Sequence, residues 1–221
     1  MTAAPLLAVS RLAVEIQAMP ALRDLSVAVQ AGEMVSLVGR NGAGKTTFMR
    51  TVMGHLAPAA GTLRFDTHDL VHTARHARAA LGIGYMPEDR GLIPQLTVEE
   101  NIALPLGVSR TLQPDERLAF VHRLLPELQE MRQRKALLLS GGQQKLVALA
   151  RALAVGTRLL LLDEPFEGVA PALAQRLADV IQALRGTSLA IVISQSDAQH
   201  ARSLFDREIA IDRGANAAAA S

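Results

Sequence analysis

The sequence contains no cysteine and no tryptophan, and its only aromatic residues are five phenylalanines and one tyrosine among 221 residues. Without cysteine, disulfides and thiolate metal sites are excluded, which is compatible with a reducing compartment. So few aromatic rings also argue against a stacking platform for single-stranded nucleic acid. The net charge of +2 comes from dispersed basic residues, so we expect no nucleic-acid partner.

Long apolar runs are lacking too. No segment approaches the roughly 18 consecutive apolar residues that a membrane-spanning helix needs. The longest apolar stretch, residues 146–155, is interrupted by Arg151. The N-terminus lacks the basic region and apolar core of a signal peptide. We therefore expect any membrane association to come through a partner.

The remaining composition is that of a globular protein. Hydrophobic residues make up 49% and charged residues 20% of the chain, which argues against disorder. A length of 221 residues predicts a single domain, or one core that carries an inserted subdomain.

A glycine-rich loop follows a predicted strand at residues 34–38 and precedes an amphipathic segment that ends near Gly54. The loop consists of Gly39, Arg40, Asn41, Gly42, Ala43, Gly44, Lys45, Thr46 and Thr47. It matches the pattern G-x-x-x-x-G-K-[ST] in the strand-to-helix context that this pattern requires. Its N–H groups and the helix N-terminus would attract phosphate, Lys45 would reach the β- and γ-phosphates, and Thr46 would ligate Mg²⁺. The pattern predicts a nucleoside triphosphate site; the alternative is a glycine-rich turn with an exposed lysine.

Two adjacent carboxylates, Asp163 and Glu164, follow an apolar run at residues 159–162. In an open parallel sheet, ligands bind beyond the carboxyl ends of the strands. Asp163 is therefore a candidate ligand of Mg²⁺, and Glu164 a candidate general base that polarises an attacking water. A strand that simply ends in an acidic turn is the alternative.

A third motif is a predicted helix start at Ser140, which is followed by Gly141, Gly142 and Gln143. Ser140 is a suitable N-cap, and the glycines allow a close approach of the backbone. The exposed N–H groups of such a helix suit an anion, so the motif is either a second phosphate contact or only a helix start.

The order of predicted elements indicates an α/β protein with a mostly parallel sheet, an antiparallel N-terminal portion and an inserted helical subdomain. The predicted strands are residues 6–16, 22–30, 34–38, 62–65 at an edge, 81–86, 159–162 and 189–193. The predicted helices are residues 114–128, 142–155 and 171–185, and Thr97 with Glu100 predicts a capping box ahead of another helix. The core would comprise residues 1–88 and 158–221, and the helical subdomain about 89–157, all within one domain. The spaced His68, His72 and His76 are interpreted as solvated surface residues, because His68 lies in a predicted turn and no further ligand completes a metal site.

The chain resembles the ATP-binding cassette (ABC) family of transporter ATPases. The resemblance rests on three motifs that occur in this order: the phosphate loop, L-S-G-G-Q and L-L-L-L-D-E-P. It extends over nearly the whole chain. The resemblance implies a P-loop NTPase core, ATP and Mg²⁺ as ligands, and a location at the cytoplasmic face of the cell membrane. It also implies a second cassette, identical or not, paired head to tail, and transmembrane permease subunits. In such a pair, Ser140, Gly142 and Gln143 would act on the nucleotide of the other cassette, while Lys45, Thr46, Asp163 and Glu164 would act within their own chain.

Two short segments and one residue refine the resemblance. Residues 85–90, residues 167–171 and Gln195 are most similar to the importer ATPases of the branched-chain amino acid and urea or amide group. Lipopolysaccharide-export ATPases share part of this pattern. The resemblance implies an importer of branched-chain amino acids or related small polar solutes.

The chain also departs from the family pattern. Glu88 replaces a glutamine that links Mg²⁺, the attacking water and the transmembrane subunit, and it adds negative charge. Gln195 replaces a switch histidine; it can donate to a γ-phosphate but cannot carry a proton. Ile16 replaces an aromatic residue that stacks on adenine in the family, and Ala170 replaces an aspartate. After residues 212–214 the chain is shorter than is usual in the family.

These features leave two main hypotheses. The first is an ATP-hydrolysing subunit of an importer, with Glu164 as the catalytic base, Lys45 and Gln195 as phosphate contacts, and Glu88 facing the membrane partner. The second is a cassette with weak or no hydrolysis, acting as a regulatory or asymmetric partner of another cassette. Glu164 argues against the second. DNA-repair and translation-factor cassettes are disfavoured, because they carry a long coiled-coil insertion or two cassettes per chain.

Overall fold

The computed structural model describes residues 4–109, 111–196 and 202–217. Within these ranges the strands are β1 (Leu7–Ile16), β2 (Met19–Val29), β3 (Met34–Val38), β4 (Ala60–Phe65), β5 (His68–Asp69), β6 (Ile83–Met86), β7 (Leu159–Asp163), β8 (Ala190–Gln195), β9 (Arg207–Asp212) and β10 (Ala215–Asn216). The helices are α1 (Lys45–Val52), α2 (Arg75–Ala80), α3 (Val98–Ala103), α4 (Pro114–Leu124), α5 (Glu127–Glu130), α6 (Gly141–Val155) and α7 (Pro171–Ala183).

All ten of these strands form one sheet in the order β5-β4-β1-β2-β10-β9-β3-β8-β7-β6. The strands β9, β3, β8, β7 and β6 run parallel to one another, and β10 pairs antiparallel with β9. The N-terminal strands β1 and β2 pair antiparallel with each other, and β4 pairs antiparallel with β1. The predicted α/β class, mostly parallel with an antiparallel N-terminal portion, is confirmed.

Strand β7 is buried on both faces of the sheet. Leu160 and Leu162 belong to the core cluster that contains α6, whereas Leu159 and Leu161 belong to the cluster on the other face, which contains α1. A parallel strand covered by helices on both sides reads as a continuous apolar run. Packing on both faces fixes the position of β7 in the sheet, and therefore the position of Asp163 and Glu164 at its C-terminal end.

The helical part of the chain rests directly on the backbone of β6. A Cβ atom at Gly84 would collide with the Ala152 carbonyl oxygen of α6 and would lie 2.9 Å from Gly156 Cα. Glycine is required here because no other residue allows this approach. Between β6 and β7 the named elements are all helices, α3 to α6. The limits of the helical subdomain, about 89–157, remain a prediction.

The N-terminal hairpin turns earlier than predicted. The turn lies at Gln17 and Ala18, with φ angles of 51° and 61°, and Pro20 lies inside β2. Two consecutive positive φ angles give the turn the twist that antiparallel strands favour. The strand predicted at 62–65 is present as β4, but it does not lie at the edge of the sheet as predicted, because the two-residue β5 pairs with its outer side.

The helix predicted over residues 114–128 is in fact two helices, α4 and α5. Leu125 follows α4 with φ −131° and ψ 64°, outside the helical region, and Pro126 comes next. A proline disfavours the helical conformation of the residue before it and has no N–H to continue the helix. The apolar periodicity that predicted one helix crosses this break.

Strands β9 and β10 were not predicted. In β9 the buried residues Ile209 and Ile211 alternate with exposed neighbours, a pattern with period two that the sequence does contain. Strand β9 pairs with β3, so it brings the C-terminal part of the described chain beside the phosphate loop.

The three histidines His68, His72 and His76 are all exposed. His68 lies in β5 and His76 in α2, so they do not share a helix face, as predicted. None of the helices in the described ranges is long and apolar enough to cross a bilayer.

Arg78 on α2 closes the C-terminal end of α1. Its side chain is only 4% exposed, and its guanidinium donates to the carbonyl oxygens of Thr51 at 2.7 Å, Val52 at 2.6 Å and Leu70 at 2.5 Å. The last carbonyl groups of a helix have no partner within the helix. Arg78 supplies that partner, and its positive charge also suits the negative end of the helix dipole.

We expect Arg78→Met to lower the free energy of unfolding by about 2–4 kcal/mol, because several buried carbonyl oxygens lose charged donors. Urea unfolding at neutral pH measures the change. Arg75→Met on the same helix is the matched control, since Arg75 is exposed, and it should shift the unfolding free energy by less than about 0.5 kcal/mol. Equal effects of the two substitutions would show that Arg78 does not act as the helix cap.

Candidate nucleotide-binding site

The loop between β3 and α1 is open towards its concave side. Gly42 and Gly44 have φ angles of 81° and 112°, which favour glycine strongly. A Cβ atom at Gly44 would lie 2.6 Å from Leu22 Cδ2. Gly44 is also the N-cap of α1 and has no side chain to cap it. The first N–H groups of α1 therefore remain available to an anion, as the sequence predicts.

Lys45 is folded back over the loop. Its ammonium donates to the carbonyl oxygens of Gly39 at 2.5 Å and Arg40 at 3.2 Å. It also lies 3.0 Å from Glu164 Oε1, in an ion pair whose two side chains are 5% and 8% exposed. Lys45 and Glu164, predicted from separate motifs, therefore meet in the fold.

Asp163 lies at the end of β7 and is fully buried. Its Oδ1 accepts hydrogen bonds from Thr46 Oγ1 at 3.1 Å and Ser194 Oγ at 2.6 Å, and Tyr85 donates to its Oδ2 at 3.4 Å. Burial raises the pKa of Asp163, and the hydrogen bonds from Ser194 and Thr46 oppose that shift. Burial and the neighbouring Asp163 raise the pKa of Tyr85, which therefore acts as a neutral donor.

Glu164 has a left-handed backbone, with φ 47°, which is uncommon for a residue other than glycine. Its N–H donates to Ser194 Oγ at 2.9 Å, and its carbonyl oxygen accepts from Lys145 Nζ at 3.1 Å. Lys145 also donates to the Glu167 carbonyl oxygen at 2.6 Å. These contacts over-determine the backbone at Glu164, as such a conformation requires. Lys145 is a buried cation on α6 and was not among the predicted site residues.

Glu88 follows β6 and carries excess negative charge into the same region. Burial raises the pKa of Glu88, and the carboxylates of Asp163, Glu167 and Glu164 raise it further, while Lys145 opposes the shift. Thr46 Oγ1 and the carboxylates of Asp163 and Glu88 are oxygen donors of the kind that Mg²⁺ prefers. A divalent cation would offset the repulsion among these carboxylates, so the donor set fits the predicted metal.

Gln195 is where the structure departs from the prediction. Its side chain is 4% exposed and donates through Nε2 to Ser36 Oγ at 3.0 Å. It therefore lies against the neighbouring strand β3 and not against the phosphate loop. Its Oε1 has no hydrogen-bond partner within the described residues. The reason is that β8 continues through Gln195, and side chains alternate between the faces of a strand. The next residue, Ser196, contacts Lys45 and Glu164 instead.

A cavity of about 570 Å³ surrounds the loop. Its lining includes Lys45, Thr46, Glu88 and Glu164, which places four predicted residues together. It also includes Arg23 and Arg213, two exposed cations that were not among the predicted site residues. The following described residues line it as well: Pro20, Ala21, Asn41, Gly42, Gly44, Thr47 and Glu167.

Ile16, the predicted adenine contact, lies at the end of the hairpin. It pairs with Met19 across the turn, and the two side chains are 40% and 72% exposed. Pro20, the next residue, lines the cavity. Ile16 and Met19 themselves are not among the described residues that line the cavity, so the structure does not bring the predicted adenine contact to the phosphate loop.

The Ser140 motif lies at the start of α6 and faces solvent. Ser140 and Gly141 are exposed. A capping box is formed, because Gln143 N donates to Ser140 Oγ at 3.3 Å and Ser140 N donates to Gln143 Oε1 at 3.0 Å. None of Ser140, Gly141, Gly142 or Gln143 is among the described residues that line the cavity at Lys45. The predicted helix start is confirmed, and the motif does not join the site of its own chain.

A second cavity, of about 1040 Å³, lies between the core and the helices that follow β6. Glu88 and Thr46 line it as well, so it adjoins the first cavity. At its outer part are Leu104 and Val108, which are 51% and 45% exposed. The cavity therefore extends from the exposed apolar residues Leu104 and Val108 to the carboxylates of Glu88 and Asp163.

The sequence model of the ABC transporter family matches residues 22–167. Among curated proteins, the high-affinity branched-chain amino acid transport ATP-binding protein BraG of Pseudomonas aeruginosa is 37% identical over 196 residues, which cover 88% of this chain and 83% of that protein. The lipopolysaccharide export system ATP-binding protein LptB of Escherichia coli K12 is 33% identical over 195 residues, which cover 87% of this chain and 81% of that protein.

Solved structures are also similar. An ATP-binding subunit of an ABC transporter is 26% identical, with a TM-score of 0.84, over 96% of this chain and 88% of that one. A dimeric ATP-binding cassette in a post-hydrolysis state with bound ADP and Pi superposes with a TM-score of 0.85 at 23% identity, over 96% of this chain and 97% of that one. At that identity the second similarity shows the shared fold alone.

Proposed function

Because the chain belongs to the ABC transporter family, as one of its ATP-binding and ATP-hydrolysing cassettes, we propose that it powers transport of a small solute through membrane subunits. The observation that carries this proposal is the meeting of Lys45, Asp163 and Glu164 at the phosphate loop. The three residues come from two separate motifs, and together they provide a phosphate contact, a metal ligand and a base.

The chain's own residues divide the hydrolytic step among them. When a nucleotide enters, Lys45 exchanges its carbonyl contacts and its ion pair for phosphate oxygens. Glu164 then accepts a proton from water as the water oxygen bonds to the γ-phosphorus and the bond to the β–γ bridging oxygen breaks. The products are ADP and inorganic phosphate, and the proton passes from Glu164 to solvent.

Thr46 and Asp163 would hold Mg²⁺, with Glu88 beside them. Mg²⁺ supplies charge neutralisation on the β- and γ-phosphates. Thr46 and Asp163 already lie in hydrogen-bond contact, 3.1 Å apart, so little rearrangement of these side chains is needed. The pKa of Asp163 and that of Glu88 are both raised, so protons compete with Mg²⁺ for these carboxylates and metal binding weakens as the pH falls.

A second cassette would complete the site. Ser140 and Gly141 present the start of α6 to solvent, and a helix N-terminus attracts anions. The family resemblance places this motif on the γ-phosphate of the other cassette in a head-to-tail pair. Completion of a phosphate site by a partner can raise turnover by several orders of magnitude.

The larger cavity is the docking site that we assign to a permease subunit at the cytoplasmic face of the membrane. Its apolar rim at Leu104 and Val108 is more exposed than a core residue would be. Its inner wall reaches Glu88 and Asp163. A partner seated here would contact the metal-binding side of the site, which provides a physical route from ATP hydrolysis to the membrane subunit.

Small-solute import, with branched-chain amino acids as the first class to test, is supported by the similarity to BraG. Export of lipopolysaccharide is the second candidate, because similarity to LptB is nearly as extensive. A weakly hydrolysing regulatory cassette is less well supported, since Glu164 is present and its backbone is held by Ser194 and Lys145.

The test is transport by proteoliposomes that contain this chain and the membrane subunits that co-purify with it. ATP-dependent uptake of a labelled branched-chain amino acid supports import, whereas movement of lipopolysaccharide alone selects the export function. If the wild-type chain hydrolyses no ATP even with these subunits present, the regulatory cassette is the better description.

We expect Leu104→Glu to prevent docking, because a charge replaces the apolar rim of the cavity. The fraction of the chain recovered with the membrane subunits should fall at least about tenfold, since burial of a leucine side chain contributes about 1.5–3 kcal/mol. Leu137→Glu is the matched control, because Leu137 is equally exposed, at 52% against 51%, and does not line this cavity. Equal loss for both variants would contradict the assignment of the docking site.

A further inference from the structure

The contacts of Ser196 place this residue at the centre of the hydrolytic group. Its Oγ lies 2.6 Å from Glu164 Oε1 and 2.6 Å from Asn41 Oδ1, and it accepts a hydrogen bond from Lys45 Nζ at 3.2 Å. Its backbone N–H donates to Glu164 Oε2 at 3.1 Å. Ser196 therefore touches both oxygens of the candidate base, and also the phosphate-binding lysine.

Strand alternation explains why Ser196 rather than Gln195 has this position. Ser194 and Ser196 project to one side of the end of β8, and Gln195 projects to the other. On the first side, Ser194 bonds to Asp163 and to the Glu164 N–H. On the second, Gln195 is buried against Ser36. A glutamine in that position cannot reach the phosphates unless the strand end is rearranged.

The ion pair with Lys45 cannot orient Glu164 once a nucleotide is bound. Lys45 must then serve the β- and γ-phosphates, so its contact with Glu164 Oε1 is given up. Among the described residues, the contacts to the Glu164 carboxylate that then remain are two from Ser196, one from its hydroxyl and one from its backbone N–H. A general base works only when its oxygen is aimed at the proton that it accepts.

We propose that Ser196 is the positioning residue of Glu164 in ATP hydrolysis, and that it takes the place that the sequence pattern gave to Gln195. The hydroxyl and N–H of Ser196 hold the two carboxylate oxygens, so that Glu164 faces the attacking water after Lys45 has moved to the phosphates. Asn41 Oδ1 lies equally close to this hydroxyl, at 2.6 Å, but the hydroxyl has a single proton, and in the proposed arrangement it is donated to Glu164 Oε1. This inference rests on the proposed hydrolytic function.

The experiment compares the MgATP hydrolysis of full-length variants under the same conditions. Ser196→Ala removes the hydroxyl and is expected to lower kcat about 10- to 100-fold, the range for one hydrogen bond to a charged group. The KM and the equilibrium Kd for MgATP should change less than about threefold, because Lys45 and the loop are intact. Ser196→Thr keeps a hydroxyl and should retain most of the wild-type kcat.

Two further variants separate positioning from a general effect on structure. Gln195→Leu should lower kcat much less than Ser196→Ala, because the Gln195 side chain does not touch the site. Ser188→Ala, at an exposed serine, should match the wild type. Thermal unfolding of each variant shows whether the fold is retained, and rescue by threonine would not be seen if Ser196 only supported the strand end.

Three results would overturn the inference. They are a Ser196→Ala variant with the wild-type kcat, a Ser196→Thr variant as slow as Ser196→Ala, and a Gln195→Leu variant that loses more activity than Ser196→Ala. The proposed function fails separately, through a wild-type chain that binds MgATP without hydrolysing it. An active wild type beside an equally active Ser196→Ala variant rejects only the role of Ser196.

Discussion

Glu164→Gln is expected to slow ATP hydrolysis at least about 100-fold, the lower end of the contribution of a general base. Binding of MgATP should be retained or become tighter. Glutamine keeps the shape of the side chain but cannot accept the proton from water. It also releases Lys45 from the ion pair that joins Lys45 Nζ to Glu164 Oε1 at 3.0 Å, so the ammonium is free to meet the phosphates.

The measurement pairs steady-state hydrolysis with equilibrium binding of MgATP. Glu167→Gln is the control, because Glu167 lines the same cavity but contacts Lys145 through its backbone carbonyl. Its loss of turnover should be far smaller. If Glu164→Gln hydrolyses ATP at the wild-type rate, the base lies elsewhere, and Glu88 in the same cavity is the next carboxylate to test.

Lys45→Met should have two separable effects. Nucleotide affinity should fall about 100- to 1,000-fold, because a charged hydrogen-bond donor to the phosphates is lost in a largely buried site. The free energy of unfolding without nucleotide should fall by about 3–5 kcal/mol, because Glu164 is left buried without its partner. Denaturant unfolding and nucleotide titration measure the two effects independently.

The double variant Lys45→Met/Glu164→Gln distinguishes these effects. It should recover most of the lost stability, since no uncompensated charge remains, while nucleotide affinity stays low. The coupling energy from this double-mutant cycle should exceed about 1 kcal/mol, as is usual for residues in contact. Simple additivity of the two stability changes would mean that the ion pair is not formed in solution.

The main chemical parts of the site could be predicted from the sequence because each is local. The phosphate loop at 39–47 is defined by glycine spacing, a preceding strand and a following helix. The apolar run before Asp163 predicts a strand buried on both faces, as β7 is. Ser140 and Gln143 form the capping box that a helix start calls for. In these cases neighbouring residues determine the structure.

What the sequence could not provide depends on contacts between distant segments. Similarity to the family pattern identifies position 195, but the direction of its side chain depends on how far β8 continues beside β3. The role of Lys145 depends on where α6 crosses the end of β7. For α4 the sequence did contain a signal, because Pro126 indicates that the helix ends before it. The prediction of one helix over 114–128 gave more weight to the apolar periodicity. The structure therefore shows contacts of Glu164 with Ser196 and Lys145 that no sequence pattern predicted, and the role of Glu164 as the base remains a prediction.

Gly84 and the Ala152 carbonyl oxygen approach each other so closely that α6, if it tilted, would rotate about this contact. Its pivot lies near the C-terminal end of the helix, where backbone meets backbone, and Ser140 lies at the opposite end. With a rise of about 1.5 Å per residue, the arm from Ala152 to Gly141 is about 17 Å long, so a tilt of about 10° moves its tip by about 3 Å. That distance is close to the length of a hydrogen bond, so a tilt of this size would be enough to make or break the contact with phosphate that we propose for the Ser140 motif.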